Sequence, residues 1–169
     1  MLLIIVVDLG RKKVRVVQGE DRPGVERDRL GDGEAYTINL MVMADDSPSF
    51  CYNIVAGASS GKRFVQFWLT EAYHYLHDGD TVILDNMNFH VTGVWSDLVQ
   101  SFFKDLNVNY YALPKYSPEL NPAELVFSKL KGCLQGKRQD GVLITAIMEC
   151  LETIKTRDVL KYYIKRGYL

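Results

Sequence analysis

Apolar residues recur along the chain in two rhythms, and the change from one to the other outlines the fold. Leu2 to Asp8 is an unbroken β-branched and leucine run, the pattern of a buried strand that ends on a carboxylate. Gly10 permits a tight turn, and Lys13-Val14-Arg15-Val16-Val17 alternates enough to be a hairpin partner. Residues 19–34 are charged and glycine-rich with almost no apolar positions, which predicts an exposed loop. Tyr36 to Ala44 and Phe50 to Ala56 read as two further strands around the turn Asp45-Asp46-Ser47-Pro48.

The rhythm then becomes helical. Ser59 or Ser60 caps a helix reaching about His77, with Phe64, Phe67, Trp68, Ala72, Tyr75 and Leu76 on its apolar face. Histidines 74 and 77 close that helix, where they are placed to meet its last carbonyls. Thr81 to Asp85 is a strand, Val91 to Leu106 a helix, and Val108 to Leu113 a strand that reads as buried. Asn121 as N-cap and Pro122 at the first helical position start the next helix. Asp140 to Thr153 and Arg157 to Lys165 close the chain as helices. The order predicts one α/β domain over residues 1–169, with helices flanking a mixed sheet that is antiparallel first and parallel later.

Composition adds little to this. The chain has 169 residues, 47% apolar and 24% charged, the balance of an ordinary globular domain. A net charge of −1 gives no overall basic field for nucleic acid, so DNA contact must come from local patches or from cations that neutralise acids. Cys51, Cys133 and Cys150 show no metal-ligand spacing, and their odd number predicts free, mostly buried thiols in a reducing, intracellular setting. The opening apolar run is too short for a membrane span.

The candidate chemistry lies at element ends. Asp8 and Asp85 each end an apolar strand, and Glu124 opens a helix. Singly, each has an ordinary explanation: the aspartates as turn residues, Glu124 as the closing member of a capping box. Together they form a carboxylate set of the kind that binds hard divalent cations. Crowded carboxylates repel unless cations neutralise them.

At these residues the chain resembles a known family. Leu84-Asp85-Asn86-Met87-Asn88-Phe89-His90 and Leu113-Pro114-Lys115-Tyr116-Ser117-Pro118-Glu119-Leu120-Asn121-Pro122-Ala123-Glu124 resemble the second and third acidic motifs of mariner-type transposases and their insertion-sequence relatives. Val126 to Lys131 and Tyr162 to Tyr168 are similar to the family as well. The resemblance implies a ribonuclease-H-like mixed five-stranded sheet flanked by helices, in which the first strand neighbours the strand of Asp85. It implies Asp8, Asp85 and Glu124 as catalytic and metal-binding acids for two Mg2+ or Mn2+ ions, acting on transposon-end and target DNA. His90, Lys115, Tyr116, Lys129 and Lys131 are the candidate DNA contacts, and a homodimer is an open option.

The first acid departs from the pattern: Leu9-Gly10 follows Asp8 where the family has a second acid. The family's helix-turn-helix region is expected to be missing, since nothing precedes the first strand. The alternative reading is therefore a transposase-derived binding module without activity. A structure-specific nuclease of ribonuclease-H type would share the chemistry but lacks the Ser-Pro-Glu-Leu-Asn-Pro block. The resemblance places the protein in the nucleus of a eukaryote, or otherwise in the cytoplasm or nucleoid.

Overall fold

The computed structural model describes residues 3–8, 36–44, 49–57, 60–85, 93–136 and 143–169, with residues 3–8 described by their backbone alone. The strands are β1 (Leu3–Asp8), β2 (Tyr36–Met43), β3 (Phe50–Ala56), β4 (Thr81–Leu84) and β5 (Asn109–Ala112). The helices are α1 (Gly61–Thr70), α2 (Val94–Asp105), α3 (Ala123–Gly136), α4 (Leu143–Glu152) and α5 (Thr156–Arg166). The hairpin partner expected at residues 13–17 and the loop expected at 19–34 lie outside the described residues.

Hydrogen bonding links the strands in the order β3-β2-β1-β4-β5. The β1–β2 and β2–β3 pairs are antiparallel, while β1–β4 and β4–β5 are parallel. This is the mixed α/β arrangement that the order of hydrophobic runs predicts. Strand alternation then divides the core. Ile38, Leu40 and Val42 of β2 pack with Ala123, Val126, Phe127 and Leu130 of α3 and with α4 and α5. Met41 and Met43 of the same strand join Phe64, Phe67 and Trp68 of α1 and Val99 and Phe103 of α2. Successive β2 residues thus feed opposite layers, as a period of two requires. At the centre of the second layer, Trp68 meets Phe103 edge-on at 4.6 Å between ring centroids.

Three expectations need correction. The helix predicted from Ser59 or Ser60 to His77 is shorter: Ser60 does cap it, accepting the Arg63 N–H, but α1 ends at Thr70. The Thr70 hydroxyl donates to the Gln66 carbonyl, a local bond of the kind that competes with helix continuation, and a 3₁₀ turn follows at Ala72–Tyr75. His77 pairs with Asp80 through its backbone N–H at 2.8 Å and its ring at 3.7 Å instead of meeting helix carbonyls. The strand expected to be buried, β5, is an exposed edge: all four of its residues are exposed and only the flanking Val108 and Leu113 are buried. It pairs with β4 on one side, and its apolar composition says nothing about whether a second neighbour exists.

The cysteines require a further correction. Cys133 of α3 and Cys150 of α4 are joined by a disulfide, while Cys51 stays free and buried. Burial, helped by the charge of Glu71, pushes the Cys51 thiol up to about 12. Among the described residues no helix is long and apolar enough to cross a membrane.

Gly61 supplies a close approach at the start of α1. A Cβ built there would lie 2.8 Å from Trp95 Cβ on α2, and the indole ring would crowd it further. Gly61→Ala is therefore expected to cost about 1–3 kcal/mol through overpacking. A thermal melt should show the midpoint fall by several degrees, and an unchanged midpoint would mean that Trp95 can step aside.

Candidate active site

Parallel pairing sets the first two acids at the same edge of the sheet. Val6 of β1 is level with Leu84 of β4, so Asp8 and Asp85 both follow within two residues of a matched pair. This is the carboxyl end of adjacent parallel strands, where open α/β sheets place their ligands. Asp85 lies just beyond the last ladder residue and is half-buried. The Leu113 N–H donates to the Leu84 carbonyl at 2.8 Å, which ties the segment leading to Glu124 to the residue before Asp85.

The third acid is delivered by a tightly bonded loop. Pro118–Leu120 forms a 3₁₀ turn whose Pro118 carbonyl accepts the Asn121 N–H at 3.1 Å. Asn121 is 1% exposed, and its Oδ1 accepts the Ala123 N–H at 3.0 Å. The side chain of Asn121 thus caps α3 as the sequence predicts, with Pro122 between them. Glu124 is half-buried in the first turn of α3, where the helix dipole favours its negative charge. Asp85 and Glu124 each interact with neighbouring groups in the fold.

Carboxylates at these positions suit a hard cation such as Mg2+ or Mn2+, which prefers oxygen ligands. Among the described residues no group of three His, Cys, Asp or Glu side chains gathers to hold a metal, and the Asp8 side chain is not among them. The pairing of strands therefore sets the backbones of Asp8 and Asp85 near one another.

The expected DNA contacts separate into different kinds. Lys115 is exposed, and Tyr116 beside it is 98% exposed. Tyr116 also takes φ 61°, a left-handed conformation that costs a non-glycine residue about 1–2 kcal/mol. Lys131 is half-exposed on α3. Lys129 already has partners: its Nζ lies 2.6 Å from Asp158 Oδ2 and 3.3 Å from the Thr153 carbonyl. It ties α3 to the start of α5, a long-range partnership with no local signal in the sequence. His90 lies outside the described residues.

Asp158 also accepts the Lys155 N–H at 3.0 Å. The hydrogen bond from Lys129, then that from the Lys155 backbone, hold its carboxyl below the usual carboxylate range. Because the folded value is depressed, the pair stabilises the fold above the unfolded carboxyl's value, about 3.9. That contribution is lost as pH falls through the folded value. Acid melts below about pH 4 should therefore show a shallower loss in Asp158→Asn than in the wild type. The effect is small, since solvent screens a partly exposed pair, and identical acid slopes would remove the assignment.

With this geometry in place, comparison with known proteins identifies the class. The model of the DDE superfamily endonuclease family matches residues 8–141, and the chain belongs to that family. Its fold is similar to a Mos1 transposase paired-end complex with left transposon end, at TM-score 0.69 and 15% identity, covering 97% of this chain and 52% of that one. The catalytic domain of Mos1 mariner transposase matches at TM-score 0.57 and 17% identity, over 79% of this chain and 74% of that one. The HTLV-2 integrase catalytic core domain, in complex with magnesium in a dimeric form, matches at TM-score 0.53 and 13% identity, covering 89% and 83%. The fold is thus the ribonuclease-H-like one of transposase and integrase catalytic domains. The chain spans about half the length of the transposase in the paired-end complex. No curated protein matches.

Proposed function

We propose that this chain is the catalytic domain of a transposase, built on a mixed five-stranded ribonuclease-H-like sheet, which cuts and joins DNA strands at transposon ends and target. The observation that carries this reading is the placement of Asp8 and Asp85 at the ends of parallel neighbours, with Glu124 on a helix start tied to the same strand end. Asp8, Asp85 and Glu124 would hold two Mg2+ or Mn2+ ions. Bound there, the ions would supply Lewis-acid activation of a water or 3′-hydroxyl and charge stabilisation for the leaving oxygen of a phosphodiester.

The chain's own residues position the DNA. Lys115 and Lys131 offer charge to backbone phosphates, which fixes register without reading sequence. The exposed Tyr116 ring offers a stacking face to an unpaired base. Lys129 can reach a phosphate only by leaving Asp158, so its share of the binding is smaller. His90 is a further phosphate contact in this reading. A homodimer fits the reading, as in the dimeric integrase core.

A second reading, a binding module without activity, is favoured by Leu9-Gly10 after Asp8, where the resembling family has a second acid. Thermal melts with Mg2+ or Mn2+ separate the two. A catalytic site should bind metal in the folded state only, and a hundredfold excess over Kd adds about 2.7 kcal/mol. The midpoint should rise by several degrees in the wild type and much less in Asp85→Asn. A midpoint indifferent to metal would favour the non-catalytic module. Binding to duplex DNA should be weak, steeply salt-dependent and similar for transposon-like and random sequences.

A further inference from the structure

Strand β2 carries a polar side chain at the heart of an apolar run. Asn39 stands between Ile38 and Leu40 and is 0% exposed. Its Nδ2 donates to Asn53 Oδ1 on β3 at 2.8 Å, but its own Oδ1 has no partner among the described residues. A buried acceptor left unsatisfied costs about 1–3 kcal/mol, so an asparagine here calls for a reason beyond packing.

The pairing register supplies one. Asn39 is the Cα partner of Asn53 on one side and of Asp8 on the other, so the three residues occupy a single row across the antiparallel strands. We propose that Asn39, backed by Asn53, is a positioning residue for the acid at Asp8. The inference rests on the reading of Asp8 as a metal ligand. Directly opposed residues of antiparallel strands have Cβ atoms about 4.5–5.5 Å apart, a span that an amide bridges.

The oxygen and nitrogen of an asparagine amide exchange places by a half-turn. When the Asn39 and Asn53 amides turn together, Asn39 Oδ1 accepts from Asn53 Nδ2 and Asn39 presents an N–H toward Asp8's place in the row. The orphaned acceptor is then satisfied, and the row offers a donor to a carboxylate. A donor of this kind favours the charged form of an acid. Carboxylates that bind metals are themselves held by hydrogen bonds, and loss of such a partner typically costs 10–100-fold in metal affinity. Asp85, by contrast, follows the end of its strand, so the pleat of β4 imposes no matching row on it.

The test is a double-mutant cycle read by Mn2+-dependent melting of the full chain. Wild type, Asn39→Leu, Asp8→Asn and the double variant are each titrated with Mn2+. Asn39→Leu should raise the half-saturating Mn2+ concentration about tenfold, yet change nothing further in the Asp8→Asn background. If Asn39→Leu instead shifts the midpoint equally with and without Mn2+, the residue is structural and the proposal is overturned. Should Asn39→Leu not fold, Asn53→Leu at the half-exposed end of the row takes its place. The same rise, smaller in size, supports the proposal, and an unchanged concentration overturns it. A shift abolished by Asp85→Asn but indifferent to both asparagines removes this inference alone. A wild type that shows no Mn2+-dependent shift removes the metal-site reading with it.

Discussion

Metal-dependent nicking of DNA is expected to fall by about a thousandfold or more in Glu124→Gln, the scale on which a working catalytic group is lost, while weak DNA binding persists. The prediction separates two roles that one carboxylate could serve. A glutamate near the start of a helix often closes a capping box, and its loss would then damage α3 itself. Here the Asn121 side chain accepts the Ala123 N–H, and the Asn121 N–H goes to the Pro118 carbonyl. The start of α3 is thus capped by groups that the substitution leaves untouched. Glutamine keeps the shape and loses the charge, so the helix gives up about 0.3–1 kcal/mol of dipole interaction. A nicking assay and a thermal melt on the same preparation decide the matter. A folded Glu124→Gln protein that nicks at the wild-type rate would remove Glu124 from the site, and a protein that melts early would return the residue to a structural role.

The second large effect concerns the bond between Cys133 and Cys150. It closes a loop of sequence separation 17 between α3 and α4. Restricting the unfolded chain by a loop of that size stabilises by about 3 kcal/mol, which for a chain of this length corresponds to about 6–12 °C in the melting midpoint. Cys133→Ser, or a reductant applied to the wild type, should therefore lower the midpoint by that amount, and the reductant should have no effect on the variant. Cys51 does not complicate the experiment, since burial keeps its thiol protonated at ordinary pH. A midpoint unmoved by reductant would show that the two thiols are not joined in solution.

How far the sequence reveals this protein depends on the range of each interaction. Local signals were reliable: the Ser60 cap, the Asn121 cap and the strand ends at Asp8 and Asp85 are each set by a few consecutive residues. What escaped was set by neighbours distant in the chain. Tyr110-Tyr111-Ala112 has the composition of a buried strand, and its exposure follows from its place at the edge of the sheet. Lys129 looks like a free cation until α5 brings Asp158 against it. The cysteine pair depends on how α3 packs on α4, which no spacing rule encodes. The partnership of Asn39 with Asn53 likewise required the register of β2 on β3.

The loop before Glu124 carries Pro114, Pro118 and Pro122, one every four residues. Each ring fixes a backbone torsion in the unfolded chain as well as in the folded one, so less freedom remains to be lost when the loop forms. A proline in a compatible conformation is worth about 0.4–1 kcal/mol by this route alone. Folding thus reaches the start of α3 with much of its ordering already built into the covalent chain. The orientation of Glu124 is thus inherited in part from the polypeptide itself.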